Sequence, residues 1–170
     1  DIGGQQGEMA INWIGIPGAK EGYVFEVALT NNYCGRTFYH DARLHFVCSM
    51  ADHVPAANES FDIVFLSGIL EHVLKPEDLL AEGERVLKPG GLMVIQVPYG
   101  GMEGPVNPHS EDLSFRSHVR TINPYELIEG KSNPAVFYIR YTGNILSPHT
   151  FFGEVADWVI AYTKEGEVLR

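Results

Sequence analysis

Cysteine is scarce in this chain: Cys34 and Cys48 are the only two in 170 residues. Two thiols cannot form a disulfide framework, so a packed core must hold the fold. Basic side chains are also few, 12 Lys and Arg against 22 Asp and Glu, for a formal charge of −10. That balance argues against a phosphate-backbone partner and favours small molecules. No apolar run approaches the ~20 residues of a membrane span, and no secretory pattern opens the chain. Internal repeats and low-complexity tracts are missing too. What remains is an ordinary globular composition, 45% hydrophobic and 20% charged, in which cytoplasm is the default setting. The length suits a single domain over residues 1–170 with one core.

The most informative stretch is residues 60–100. Residues 61–66 form a short apolar run with β-branched Ile63 and Val64, which predicts a buried strand. Pro76 suits a first helical turn, where its missing N–H goes unused, and Glu77 and Asp78 favour the positive helix start. Leu79, Leu80, Gly83, Val86 and Leu87 then recur at helical spacing, with Glu82, Glu84, Arg85 and Lys88 between them. Lys88-Pro89-Gly90-Gly91 reads as the stop and turn, and residues 92–97 as a second buried strand. Two such strands joined by a helix predict a crossover in a mostly parallel sheet. Ligands of such sheets bind outside the carboxyl ends of strands, which places residues 67–72 and 98–102 at a site.

The pattern FDIVFLSGILEHV, a helix, RVLKPGG and a strand resembles the class I S-adenosylmethionine-dependent methyltransferases, small-molecule type. The resemblance implies a Rossmann-like, doubly wound α/β fold. Its sheet would be mostly parallel and seven-stranded, with an antiparallel last strand. It also implies an enzyme, an S-adenosylmethionine cofactor and a methyl acceptor that is a small molecule or glycan, modified on oxygen or nitrogen. Neither nucleic acid nor membrane is an expected partner, and the oligomeric state stays open. Because the chain opens at Asp1 without a Met, the expectation is a truncated N-terminus, with the innermost strand cut off at its last residue.

The remaining segments extend the likeness. Asp1-Ile2-Gly3-Gly4-Gln5-Gln6-Gly7 is a degenerate glycine-rich loop before a short helix through Met9, Ile11 and Ile14. Gly3 and Gly7 match the family's outer glycines, Gln5 replaces the middle one and Gly4 is extra. A tight turn there would let backbone approach the cofactor, so Asp1, Gly3, Gly4 and Gly7 are cofactor-binding candidates. Residues 23–29 read as a strand, on which Glu26 is the family's ribose-binding acid or, equally, a solvated strand-edge side chain. A short helix is expected near residues 35–42 and a third strand at 44–49. The family usually places an adenine-binding acid at the position of Met50. Here backbone at Met50 and Ala51 would carry that contact, and Ser67 and Gly68 would flank the sulfonium end.

Three histidines are candidates for general base: His109, His118 and His72. His72 also reads as a helix-entry residue bonding backbone. The segment around His118, with Arg120, Pro124 and Glu126, resembles one found in many small-molecule and glycan-modifying members of the class, and Asn123 is placed to cap a short helix at 125–129. His109, Glu111 and His118 match no closed metal pattern, so no metal is expected. Strands at 135–141 and 157–163 complete the sheet as an antiparallel pair, with Trp158 and Tyr162 facing the core. A second reading is a Rossmann-like binding or assembly domain that has lost catalysis, favoured by Gln5 and Met50. A nicotinamide oxidoreductase would need a tidier glycine fingerprint than this chain has.

Overall fold

The computed structural model describes residues 1–98, 122–141 and 155–165, with the side chains of 139–141, 155 and 156 left out. Its elements run α1 (Glu8–Ile14), β1 (Gly22–Glu26), α2 (Leu29–Phe38), β2 (Leu44–Cys48), β3 (Phe61–Ser67), α3 (Pro76–Val86), β4 (Leu87–Pro98), β5 (Ser132–Tyr141) and β6 (Val155–Thr163). Single 3-10 turns lie at Leu70–His72 and Glu126–Ile128. The latter replaces the helix expected at 125–129. A side-chain turn precedes it, as Asn123 Oδ1 accepts from the Tyr125 amide at 3.1 Å.

Strands β1 and β2 pair in parallel, and the other four form a sheet in the order β3-β4-β6-β5. β3 and β4 are parallel, and β6 runs antiparallel to both β4 and β5. The fold is therefore α/β with mixed sheets. Residues 1–3 join the two sheets. Ile2 bridges Phe25 in parallel, its amide donates to Phe65 O at 2.9 Å, and the Gly3 amide donates to Phe25 O at 2.7 Å. Three residues make a bridge rather than a strand, so six strands are formed among the described residues where seven were expected.

Alternation along the strands sends side chains to two faces. On one face Val24, Leu44 and Phe46 pack with Ala10 and Ile14 of α1, and Gly35 sets α2 against the Phe46 ring. On the other, Val64, Leu66, Met93 and Ile95 pack with Leu79 and Val86 of α3, and Tyr162 of β6 is 1% exposed in the same core. Helices on both faces are the doubly wound arrangement. Trp158 is half-buried, less enclosed than the core position expected of it.

Several boundaries differ from the sequence expectation, three of them with a visible cause. β1 stops at Glu26 and α2 begins at Leu29 rather than near Gly35. Side chains cause this: Glu26 Oε1 accepts from the Ala28 amide at 2.8 Å, and Asn32 Nδ2 donates to Glu26 O at 2.8 Å and to Ala28 O at 3.2 Å. Lys88–Gly91 is not a free turn, because β4 already includes it. Gly90 N and Gly91 O both bond to Lys164.

Candidate functional site

At the carboxyl ends of β1, β2 and β3 lies a crevice of roughly 270 Å³, close to the lower end of small-ligand sites. Four walls meet there: Gly3 and Gln5; Glu26, Val27 and Asn31; Ser49 and Ala51; and Gly68, Ile69 and His72. Three of the walls follow a strand end, and the first follows the Ile2 bridge. The parallel β1–β2 ladder ends with Glu26 opposite Cys48, so the residues that follow both strands emerge side by side.

The glycine-rich turn forms the first wall. Gly3 has φ +71°, which strains any side chain, and a Cβ there would also displace Ile69 Cδ1, so glycine is favoured. Gln5 also stands in the left-handed region at φ 47°, where a side chain costs about 1–2 kcal/mol. Its amide is fixed by Glu26 Oε2 at 3.0 Å. Glu26 is 7% exposed and holds Gln5 with one oxygen and Ala28 with the other. Each oxygen has a second lone pair, which suits hydroxyl donors.

A polar clamp holds the third wall from behind. Arg85 of α3 donates to Glu82 through Nε and Nη2 (2.7 and 2.8 Å), and to Ala56 O, Val54 O and Asn58 Oδ1 (2.9, 3.0 and 2.8 Å). Glu82 Oε1 in turn accepts from the Val54 amide at 2.7 Å. The guanidinium, with the Val54 amide as a smaller cause, holds the Glu82 carboxyl below its ordinary range. The loop after β2 is therefore anchored to α3 although it contains no regular structure.

The fourth wall carries a histidine above a buried acid. Glu71 is 2% exposed, and its Oε1 lies 3.9 Å from His72 Nε2. Just past this wall, Ser67 Oγ donates to Gln96 Oε1 at 3.1 Å, and Gln96 Nε2 donates to Asp157 Oδ2 at 2.7 Å. Burial raises the Asp157 carboxyl, partly offset by the Gln96 bond.

Of the described residues singled out from sequence, Gly3, Glu26, Ala51, Gly68 and His72 line the crevice, whereas Asp1, Gly4, Gly7, Met50 and Ser67 do not. Asp1, Gly4 and Gly7 build the turn from behind: the Asp1 carboxylate lies against Gly4, and the amide of Gly7 closes on Gly4 O at 2.8 Å. The Met50 side chain is 58% exposed and stands outside the crevice, where Ser49 takes the first position after the strand. Ser67 turns toward Gln96 instead of the crevice. His109 and His118 lie outside the described residues. Asn31 and Ser49 are crevice residues that the motifs did not mark, and Gln5 and Ile69 lie within marked segments without having been singled out. Among the described residues no group of three His, Cys, Asp or Glu side chains could hold a metal.

A glycine turn, a neighbouring strand-end carboxylate and a third strand-end loop around one crevice define an α/β domain built for a nucleoside-bearing cofactor. Within that class, the chain belongs to the methyltransferase domain family, whose model matches residues 2–95. It is 32% identical over 111 residues to the ubiquinone/menaquinone biosynthesis C-methyltransferase UbiE of Dinoroseobacter shibae, covering 61% of this chain and 44% of that protein. It is 35% identical over 75 residues to a malonyl-[acyl-carrier protein] O-methyltransferase of a Marinomonas species, covering 44% and 28%. The chain thus spans under half the length of these curated relatives. In fold it is similar to a crystal structure of a SAM-dependent methyltransferase from Thermotoga maritima, with TM-score 0.69 and 20% identity over 96% of this chain and 80% of that one.

The cofactor of this family is S-adenosylmethionine, and the residues present fit it. Position 3 has a backbone that favours glycine, Glu26 keeps acceptor capacity at the crevice, and the buried Ser49 hydroxyl has no partner among the described residues.

Proposed function

We propose that this chain is an S-adenosylmethionine-dependent methyltransferase domain acting on an oxygen or nitrogen of a small molecule or glycan. The observation that carries the reading is the convergence of Gly3, Glu26, Ser49 and Gly68 on one crevice at the strand ends. In it Glu26 would accept from the ribose hydroxyls, with Gln5 N and Ala28 N keeping its carboxylate in place. The Gly3 turn would admit the amino-acid end. The bound cofactor would supply an electrophilic methyl group on a sulfonium.

His72 lines the far wall, and its side chain is 35% exposed. It is placed to take a proton from a hydroxyl or protonated amine as that acceptor is held in line with the methyl. Glu71, 3.9 Å away, would stabilise the imidazolium that results. We further propose that residues 1–170 form one domain and that Ile2 holds the place of a seventh, central strand between β1 and β3, since it bonds to both. A cytoplasmic setting accords with the free thiols of Cys34 and Cys48.

A second reading, a binding domain without catalysis, is favoured by Gln5 at a strained position where the family has glycine. Calorimetric titration with S-adenosylmethionine and S-adenosylhomocysteine tests the cofactor. Binding of both supports the first reading, and no heat and no thermal shift with either would overturn it.

A further inference from the structure

A polar chain crosses the strand ends beyond the crevice. Ser67 Oγ donates to Gln96 Oε1 at 3.1 Å and Gln96 Nε2 donates to Asp157 Oδ2 at 2.7 Å, so β3, β4 and β6 each give one member. Ser67 and Gln96 are register partners and Asp157 stands opposite Pro98, which puts all three at the carboxyl ends of β3 and β4. The chain is tied to the crevice, because the amide of Gly68, in its fourth wall, donates to Gln96 O at 3.0 Å. In strand order Glu26 of β1 lies on one side of Gly68 and Asp157 of β6 on the other. A cofactor held by Glu26 and reaching Gly68 therefore leaves the β4–β6 end to the second substrate.

Asp157 is half-buried, and among the described residues it has a neutral amide on one oxygen and no cation beside it. The half-buried acids of α3 differ: Glu82 is paired with Arg85, and Glu84 with Lys131. Burial raises the Asp157 carboxyl, and a cationic partner is what would favour its ionised form. The Gln96 amide is held at both ends, its oxygen by Ser67 and its nitrogen by Asp157, so the carboxylate is fixed in direction. We propose that Asp157 selects the methyl acceptor by holding a protonated amine of it, with Gln96 and Ser67 positioning the carboxylate. Such a bond is charge-assisted and stronger than a neutral one, and the chain's charge of −10 draws cations to the site. The assignment rests on the methyltransferase reading above and narrows its acceptor to a small molecule that carries a cationic nitrogen.

The test titrates wild type and Asp157→Asn, each saturated with S-adenosylhomocysteine, with two pairs of probes matched in shape: tyramine against para-ethylphenol, and putrescine against butanediol. In at least one pair the wild type should bind the amine about ten- to a hundredfold more tightly than its neutral mate, the worth of a hydrogen bond to a charged group. Asp157→Asn should lose that preference while keeping its affinity for S-adenosylhomocysteine. Asp157→Ser repeats the comparison should the first variant fail to fold. A merely structural aspartate would change melting on substitution and leave the amine preference alone. A wild type with no preference in either pair, or a preference that survives in the variants, would overturn the assignment. A wild type that does not bind S-adenosylhomocysteine would sink the methyltransferase reading and this assignment with it, whereas binding of S-adenosylhomocysteine without an amine preference would sink the assignment alone.

Discussion

Replacing Gly35 by Ala pits local propensity against packing. Gly35 is interior to α2, where Ala is favoured over Gly by about 1 kcal/mol, so an exposed helix would gain stability. Gly35 is buried, however, and a Cβ on it would overlap Phe46 Cε1 and stand 2.5 Å from both Phe46 Cζ and Gln6 O. The same Cε1 and Cζ atoms lie 3.0 Å from where a Cβ on Gly7 would stand, so the ring also borders the glycine turn. Relief must come from α2 backing away from the Gln6 carbonyl, next to the residue that lines the crevice. Overpacking of this kind costs about 1–3 kcal/mol, and the backbone contact with Gln6 O places it toward the upper end. The net expectation is destabilisation by about 1–2 kcal/mol, or a melting temperature lower by about 3–6 °C at this size. Affinity for S-adenosylhomocysteine should fall as well. A Gly35→Ala protein that melts at or above the wild-type temperature would refute the close approach of α2 to the glycine turn.

Four further outcomes follow from the geometry. Arg85→Ala should cost about 2–4 kcal/mol in urea unfolding at neutral pH, since it strips charged hydrogen bonds from Glu82 and the loop after β2. Glu82 has a depressed carboxyl in the folded protein, so its contribution is present above the unfolded value of 4.5 and fades as pH falls through the folded value. The gap between wild type and Arg85→Ala should therefore narrow in acid, and a pH-independent gap would count against the clamp. Asp157 has the opposite sign: burial raises it above 3.8, so stability is lost as pH rises, and Asp157→Asn should melt higher than wild type at pH ~7 but not at pH ~3.5. Gly3→Val should lose both folding stability and cofactor affinity, because it meets Ile69 at φ +71°; melting unchanged from wild type would contradict that contact. With an acceptor that the wild type turns over, His72→Gln should lower kcat by about 10²–10⁴-fold and leave S-adenosylhomocysteine affinity within about twofold, whereas an unchanged kcat would remove His72 from the chemistry.

The β3-α3-β4 unit was legible because each signal in it is local: a β-branched run, Pro76 at the helix start with acids beside it, and apolar residues at helical spacing. The turn into α2 was not. Propensity carries Val27, Ala28 and Leu29 onward as strand, and the chain leaves the sheet only because Glu26 captures the Ala28 amide and Asn32 captures two carbonyls. Those are contacts between side chain and backbone that no periodicity encodes. The loop after β2 is a related case, since its conformation is set by Arg85, between 27 and 31 residues away in sequence from the groups it holds.

The same distinction separates the site residues that were found from those that were missed. Resemblance located Gly3, Glu26 and Gly68 because each occupies a position whose chemistry the motif fixes. It pointed to Met50 as well, although β2 ends at Cys48 and the first residue beyond it is Ser49. The strand-end rule alone, applied to β1 and β2 as it was to β3, selects Val27 and Ser49 without reference to any motif, and both line the crevice. A motif records which residue type usually does a job, whereas a strand end fixes where the job is done. With methionine at the usual acid position, the place remains at the strand end, and Ser49 is the polar residue that lines the crevice there.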